Sequence, residues 1–485
     1  MVKKNLTLLT DLYQLTMMQG YYQNNSTQTV VFEMFYRKNP SQNGFAIFAG
    51  LHQFIDYINN IVFDADSLEY LSSLNIFSSD FLEYLKNFKF TGDIYSIPEG
   101  TIIFPEEPLF RVIAPILEAQ FIESTMLNII NHQSLIATKA SRVISAADGD
   151  TVLEFGLRRA QGPDASLYGT RAAIIGGCVA TSNVLAGKEF NVAVSGTQAH
   201  SWIMSFESEL DAFRKYADLF PNKCLLLVDT YDTLNSGIPN AIKIFDELKL
   251  KGLSNSSYGI RLDSGDLAYL SKRARKMLDE AGHKDAKICA SCDLDEYLIA
   301  ELKRQGAKIN TWGVGTKLIT SDDCPSFGGV YKLVAEKEAS GNFIPKIKVS
   351  DNPEKVTTPG AKKIIRVYDK ENYKIKVDII ALEEEHFDES KTYIISDHKA
   401  RWKKMTLKGN TYVMKELLIP IFLEGVCVYT SPSVMEIHKY TKQEINTLWD
   451  EFKRLVNPEI LPVDLSDKLY ELKTSMLEEY RKDKR

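Results

Sequence analysis

Between residues 224 and 318 the chain repeats one pattern: a short apolar run, a burst of acidic and small residues, then a stretch of helical periodicity. Cys224-Leu-Leu-Leu-Val228 leads into Asp229-Thr-Tyr-Asp232, and Tyr258-Gly-Ile260 into Arg261-Leu-Asp263-Ser-Gly-Asp266. Lys287-Ile-Cys-Ala290 leads into Ser291-Cys-Asp293, and Lys308-Ile-Asn-Thr-Trp312 into Gly313-Val-Gly315-Thr316. Between them Ile242, Ile244, Phe245 and Leu248, then Leu267, Leu270, Ala274 and Leu278, recur at helical spacing. Short apolar runs buried on both faces and separated by helices describe parallel strands with crossover connections. Each polar burst then falls at a strand's carboxyl end, where barrels and open α/β sheets carry their chemistry. Upstream, residues 151–155 read as a strand ending in Gly156-Leu-Arg158-Arg159, and residues 191–194 as one ending in Ser195-Gly-Thr-Gln-Ala-His200. Six ordered strand ends predict an α/β fold, an irregular (β/α) barrel rather than a doubly wound sheet.

The flanks have another texture. A helix is expected within residues 6–24, strands at 30–36 and 44–50, helices at 51–60, 66–73 and 80–88, and alternating strands again at 93–104 and 108–113. A long helical pattern then runs from Glu118 to Arg142. After Leu318 strand-like runs return at 373–380, 391–395 and 417–428, followed by amphipathic helical stretches at 443–455 and 465–480. Neither flank alone has enough strands for a sheet, so the tail is expected to fold back on the N-terminal layer. The expected division is residues 1–127 plus 330–485 as a discontinuous mixed α/β domain, and 128–329 as the barrel.

Composition narrows the function classes. A length of 485 residues exceeds what one core supports. With 58 basic against 64 acidic residues, net charge −6, there is no global bias toward nucleic acid. Six cysteines scattered through apparent strands describe a reducing compartment rather than a disulfide framework. The one close pair, Cys289 and Cys292, lacks the partners of a zinc set. No apolar window is long enough for a membrane span, and the N-terminal apolar run is too short for a signal peptide. A cytoplasmic protein is expected.

Candidate chemistry clusters at the strand ends. Backbone N–H groups around Gly313 and Gly315 can approach a phosphate, and Arg158 and Arg159 supply fixed positive charge for phosphate or carboxylate. Five carboxylates, Asp229, Asp232, Asp263, Asp266 and Asp293, would repel on one rim unless cations or sugar hydroxyls share it. A magnesium-bound polyphosphate sugar satisfies both signs; salt bridging with Arg261 is the competing account. His200 follows a Gly-Thr turn, and an acid such as Asp229 fixing one ring nitrogen would free the other as base or nucleophile.

Glu154-Phe-Gly-Leu-Arg-Arg-Ala-Gln-Gly-Pro163, Ser195-Gly-Thr-Gln-Ala-His-Ser-Trp202, Arg261-Leu-Asp-Ser-Gly-Asp266 and Thr10-Asp-Leu-Tyr-Gln-Leu-Thr16 together resemble the nicotinate phosphoribosyltransferase family. The resemblance runs through the chain in the family's order. It implies a type II phosphoribosyltransferase acting as a homodimer, with an irregular barrel and a mixed domain from both chain ends. The implied reaction joins nicotinate to phosphoribosyl pyrophosphate, forming nicotinate mononucleotide and pyrophosphate with coupled ATP hydrolysis and Mg2+. His200 matches the family's phosphorylated histidine, with Asp229 orienting it. Tyr13, reaching from the partner subunit, and Phe155 would sandwich the pyridine ring. Arg261 would sit by ring and ribose, and Arg158 by carboxylate or phosphate. Ser182 stands where the related nicotinamide enzyme places an aspartate, so the resemblance implies nicotinate over nicotinamide. Asp263, Ser291 and Asp293 would hold ribose hydroxyls, or magnesium through the two carboxylates; Gly313, Gly315 and Thr316 would hold phosphate. Cys292 departs from the small residue expected there. The alternatives are a quinolinate or nicotinamide phosphoribosyltransferase-like enzyme, or a barrel kept as a noncatalytic scaffold.

Overall fold

The structure, a computed structural model, describes residues 5–252 and 257–482. They fall into two compact units, one drawn from Ile136–Pro325 and Ser433–His438, the other from Met1–Leu135, Ser326–Pro432 and Lys439–Arg485.

The first unit is organised by a six-stranded parallel sheet in the order Ala180–Thr181, Thr151–Glu154, Thr311–Val314, Lys287–Ala290, Ser257–Leu262, Lys223–Leu227. Consecutive residues are buried along these strands, as in Ile288, Cys289 and Ala290. Such strands need helices on both faces, which is what forces the crossover topology. Leu267–Glu280 buries Leu267, Ala274 and Leu278 and begins at Asp266, whose carboxylate accepts from Tyr269 N. Glu296–Arg304 begins likewise at Asp295, which accepts from Leu298 N. Gly259 lets adjacent strands close up, since a Cβ there would lie 2.2 Å from the Lys287 carbonyl oxygen. The two edge strands do not pair with one another among the described residues, so the sheet is a curled half-barrel.

Several element readings change. Residues 191–194 form no strand; only Val194 makes an isolated bridge, to Thr181. That place in the sheet belongs to Ala180–Thr181, two residues too short to show alternation. The last strand is Thr311–Val314, so Gly313 lies inside it rather than in the turn after it. The long helix breaks at Ile122 into Ile116–Phe121 and Glu123–Ala147.

In the second unit, Thr29–Tyr36 pairs antiparallel with Phe110–Pro115 on one side and Gly329–Lys337 on the other, placing both ends of the chain in one seven-stranded sheet. A four-stranded sheet centres on Lys362–Asp369 and Ile375–Leu382. Its core of Ile365, Val367, Val377 and Ile379 leaves Arg366 fully buried, with Nη2 2.6 Å from Asp378 Oδ2. Only Ala46–Ile47 of residues 44–50 is strand, and residues 417–428 turn at Glu424 and Gly425, both left-handed, into Ile419–Leu423 and Val426–Cys427. The closing helices are Val434–Thr447 and Asp467–Lys482. No helix among the described residues is long and apolar enough to cross a membrane.

This unit carries a histidine with a defined pH signature. His398 Nδ1 lies 3.2 Å from Asp464 Oδ1 and Nε2 3.3 Å from Glu106 Oε2, with Asp397 and Lys399 alongside. Burial opposes its charge, but the bonds to Asp464 and Glu106 prevail and raise its pKa. A raised histidine stabilises the fold fully below its unfolded value of about 6.5 and loses that contribution as pH rises through the folded value. The thermal midpoint gap between wild type and His398→Gln should therefore be widest near pH 6 and shrink on alkalinisation; a gap that does not narrow contradicts the pairing.

Candidate active site

Arg261, near the end of Ser257–Leu262, is the hub of the strand-end polar groups. Its Nε donates to Ser291 Oγ (2.8 Å), Nη1 to Thr197 Oγ1 (3.0 Å) and Nη2 to Asp263 Oδ1 (2.7 Å). Ser291 Oγ donates to the same Asp263 oxygen. Thr197 and Ser291, 64 and 30 residues away, together with Asp263 two residues on, thus fix one planar cation, whose Cζ lies 5.9 Å from the centroid of the Phe155 ring. Burial alone would raise the Asp263 pKa; the Ser291 hydroxyl and the Arg261 guanidinium outweigh it and hold the carboxyl below its usual range.

His200 opens the short helix His200–Met204. Its Nδ1 lies 3.1 Å from Thr230 Oγ1, and Nε2 faces Asp263 Oδ2 at 3.8 Å. When Nδ1–H donates to Thr230, Nε2 keeps its lone pair. Asp229, expected to orient the ring, is engaged elsewhere: its Oδ2 accepts from Asp263 N (2.8 Å) and Ser264 Oγ (2.6 Å). Side chains of successive residues at an extended strand end diverge, so the next residue, Thr230, holds the histidine while Asp229 braces the loop that presents Asp263. Asp232 and Asp266 are drawn off by local backbone: each caps the helical segment that follows it, through Asn235 N and Tyr269 N. Of the five aspartates, Asp229, Asp263 and Asp293 remain together; burial, with their charges added, raises the Cys292 thiol.

Phe155 is positioned from behind. Buried Glu154 accepts from Gly156 N, Thr170 Oγ1 (3.0 Å) and Thr181 Oγ1 (2.6 Å), while its own burial raises its pKa. Gly313 gives the ring room, since a Cβ there would lie 2.7 Å from Phe155 Cδ2. What Gly313 supplies is thus space for the ring rather than a phosphate loop. Gly313→Ala should tilt the ring and raise the KM for the aromatic substrate about tenfold or more, with a smaller change in KM for the sugar donor. The opposite split would return Gly313 to phosphate binding. Gly315 precedes the four-residue helix Thr316–Ile319, too short to add much dipole, so an anion at Gly315 and Thr316 meets individual N–H groups.

Arg158 and Arg159 are exposed on the turn Leu157–Arg159, with no acidic partner among the described residues. Ser182 N donates to Glu154 O (3.0 Å), and the Ser182 hydroxyl has no protein partner among the described residues. Tyr13 stands on Leu12–Gln23 of the other unit, 49% exposed. Cys292 and Asp293 both adopt positive φ, 98° and 36°, a conformation costly for side-chain-bearing residues.

The site fits magnesium in part. Asp229 Oδ1 is buried without a hydrogen-bond partner, and Asp293 is exposed. Magnesium uses one or two carboxylates together with waters and substrate phosphates. Asp263 is less available than expected, because Arg261 and Ser291 already occupy its Oδ1.

The sequence reading missed Thr197, Thr230, Ser264 and Glu154 as members of the site. All four lie within or beside the polar bursts, but partners 16 to 64 residues away leave no local signal.

Three segments match known family domains: residues 8–131 the nicotinate phosphoribosyltransferase N-terminal domain, 151–384 the nicotinate phosphoribosyltransferase family, and 361–473 its C-terminal domain. The chain is 47% identical over 478 residues to a Bacillus subtilis nicotinate phosphoribosyltransferase, covering 98% of this chain and 96% of that one. A Mycobacterium tuberculosis nicotinate phosphoribosyltransferase is 43% identical over 359 residues, 74% of this chain and 75% of that one. The crystal structure of human nicotinic acid phosphoribosyltransferase superposes with a TM-score of 0.82 at 28% identity, covering 97% of this chain and all of that one. The strand-end constellation and full-length similarity agree, and the chain belongs to the nicotinate phosphoribosyltransferase family.

Proposed function

We propose that this site transfers the phosphoribosyl group of phosphoribosyl pyrophosphate to the ring nitrogen of nicotinate, coupled to ATP hydrolysis through phosphorylation of His200, in a cytoplasmic homodimer. The observation that carries the reading is the linked set His200, Asp263, Arg261 and Ser291 beside Phe155. The nitrogen lone pair attacks the anomeric carbon as its bond to oxygen breaks, and that electron pair leaves with pyrophosphate. Phe155 holds the ring in line. The Arg261 cation and ionised Asp263 are preorganised around the sugar, so little reorganisation accompanies charge development. Asp229 and Asp293 would hold magnesium, which would supply countercharge for the departing pyrophosphate.

Arg158 and Arg159 are free to meet the nicotinate carboxylate, and Ser182 places no anion to repel it. In the coupling step, His200 Nε2 takes a phosphoryl group from ATP, releasing ADP, and hydrolysis later returns the free imidazole and phosphate. Phosphohistidine adds charge beside Asp263 that would strengthen the hold of the neighbouring carboxylates on a pyrophosphate-bound cation.

Pyrophosphate release should depend on nicotinate and be stimulated by ATP. Turnover of quinolinate with release of carbon dioxide, or of nicotinamide in preference to nicotinate, contradicts the substrate assignment. His200→Ala should lose the ATP stimulation while retaining slow ATP-independent turnover. Undiminished stimulation removes His200 from the coupling.

A further inference from the structure

His200 is carried by a loosely tied loop. Residues 195–199 lie between the bridge of Val194 to Thr181 and the helix His200–Met204, with Gly196 and Ala199 exposed. Backbone holds the loop at its start, where Ser195 N donates to Thr181 O (2.8 Å), and at its end, where Trp202 N donates to Ala199 O (3.0 Å). Between these points the Gln198 amide atoms have no hydrogen-bond partner, so that side chain adds no tie. Among the described residues, the one side-chain hydrogen bond from this loop to a strand end is Thr197 Oγ1 accepting from Arg261 Nη1 at 3.0 Å. A segment with exposed backbone and so few ties opens more readily than the sheet beside it. Arg261 is the opposite case: its side chain is only 14% exposed and is also bonded to Ser291 and Asp263. Thr197 is thus the junction between a movable loop that bears His200 and a cation fixed at the sheet.

We propose that Thr197 is the positioning residue through which phosphorylation of His200 is transmitted to Arg261, and so to the sugar donor. The gap between His200 Nε2 and Asp263 Oδ2 is 3.8 Å, too narrow for a phosphoryl group with both side chains in place, and the added charge repels the ionised carboxylate. Asp263 is braced by Arg261 and Ser291 at its side chain and by Asp229 at its backbone N–H. The loop therefore yields first, and Thr197, bonded to Nη1, turns its displacement into a change in the aim of the guanidinium. Thr230 does not serve this purpose: it meets the imidazole at Nδ1, and no hydrogen bond joins it to Arg261 among the described residues. Linkage makes the effect reciprocal, since a sugar donor that binds the re-aimed Arg261 favours the phosphorylated loop by the same factor. The inference rests on the ATP-coupled reading and names the residue that joins its two steps.

The test is initial-rate kinetics of the full-length protein with phosphoribosyl pyrophosphate varied at saturating nicotinate, with and without ATP, magnesium being present throughout. With ATP the wild-type KM for phosphoribosyl pyrophosphate should fall about fivefold or more. In Thr197→Val, which keeps the shape and removes the hydroxyl, the KM values with and without ATP should converge. Thr197→Ser should keep most of the difference. Radiolabelled ATP should still phosphorylate Thr197→Val, because the threonine hydroxyl is bonded to Arg261 and not to the imidazole. An ATP effect undiminished in folded Thr197→Val overturns the proposal and leaves Asp263, which faces both His200 and Arg261, as the link. An equal loss in Thr197→Ser, or a folded Thr197→Val that takes no label, overturns it too. Thr197→Ala also lacks the hydroxyl and decides the matter if the valine variant does not fold. A wild type that ignores ATP in both KM and kcat sinks the functional reading beneath the inference. An ATP effect on kcat alone, or one that survives loss of the hydroxyl, sinks the inference alone.

Discussion

Replacing Arg261 with alanine is expected to lower kcat/KM for phosphoribosyl transfer by about 100- to 1,000-fold, a loss of about 3–4 kcal/mol of transition-state stabilisation. The guanidinium binds Ser291, Thr197 and Asp263 at once and lies by Phe155. Alanine removes the cation proposed to lie by the sugar and takes from Asp263 one of the two partners, with Ser291, that hold its pKa low. Arg261→Lys should recover little, because a point charge on a flexible stem cannot make three directed hydrogen bonds in one plane. Steady-state kinetics with both substrates varied, alongside circular dichroism of each variant, separates catalysis from folding. A folded Arg261→Ala enzyme that loses less than roughly tenfold places the reacting centre elsewhere.

Glu296→Ala should destabilise the barrel unit by about 3–5 kcal/mol, because it removes a buried carboxylate shared by two buried cations. The Glu296 side chain is fully buried, and Oε1 accepts from Lys139 Nζ (3.1 Å) and Arg142 Nε (2.7 Å). Lys139 also meets Asp323 at 2.7 Å, so it keeps a partner after the substitution, whereas Arg142 loses the carboxylate bound at its Nε. Opposed by desolvation, Glu296 and Asp323 raise the Lys139 pKa, so the ammonium stays charged throughout the physiological range. Glu296→Gln keeps an acceptor without the charge and should fall between the two proteins. Urea unfolding checks the order through the transition midpoint; a Glu296→Ala midpoint within error of wild type contradicts it.

The barrel was legible because its signal is periodic: an apolar run, polar residues, then a helix, repeated about every thirty residues. Edge elements were not. Ala180–Thr181 has two residues, and no alternation fits into two. Asn191-Val-Ala-Val194 looks more like a strand and contributes one bridge. Within the site, Arg261, Asp263, Ser291 and His200 were visible as charged or reactive residues at strand ends. Their wiring was not, because Arg261 to Thr197 spans 64 positions and Ser291 to Asp263 spans 28. The caps at Asp232 and Asp266 were readable in principle, each preceding a helical pattern. They were counted with the site because strand ends and helix starts coincide in a βα unit. Gly313 shows the same ambiguity: a glycine after an apolar run reads as a turn, but here it is the strand position that accommodates an aromatic ring.

The left-handed pair at Cys292 and Asp293 sets stability against aim. Two side-chain-bearing residues in that region together cost on the order of 2–6 kcal/mol relative to relaxed backbone. A glycine at 292 would adopt the same φ freely, so the loop could be eased by one codon. Such a variant would gain thermal tolerance while letting the Asp293 carboxylate wander.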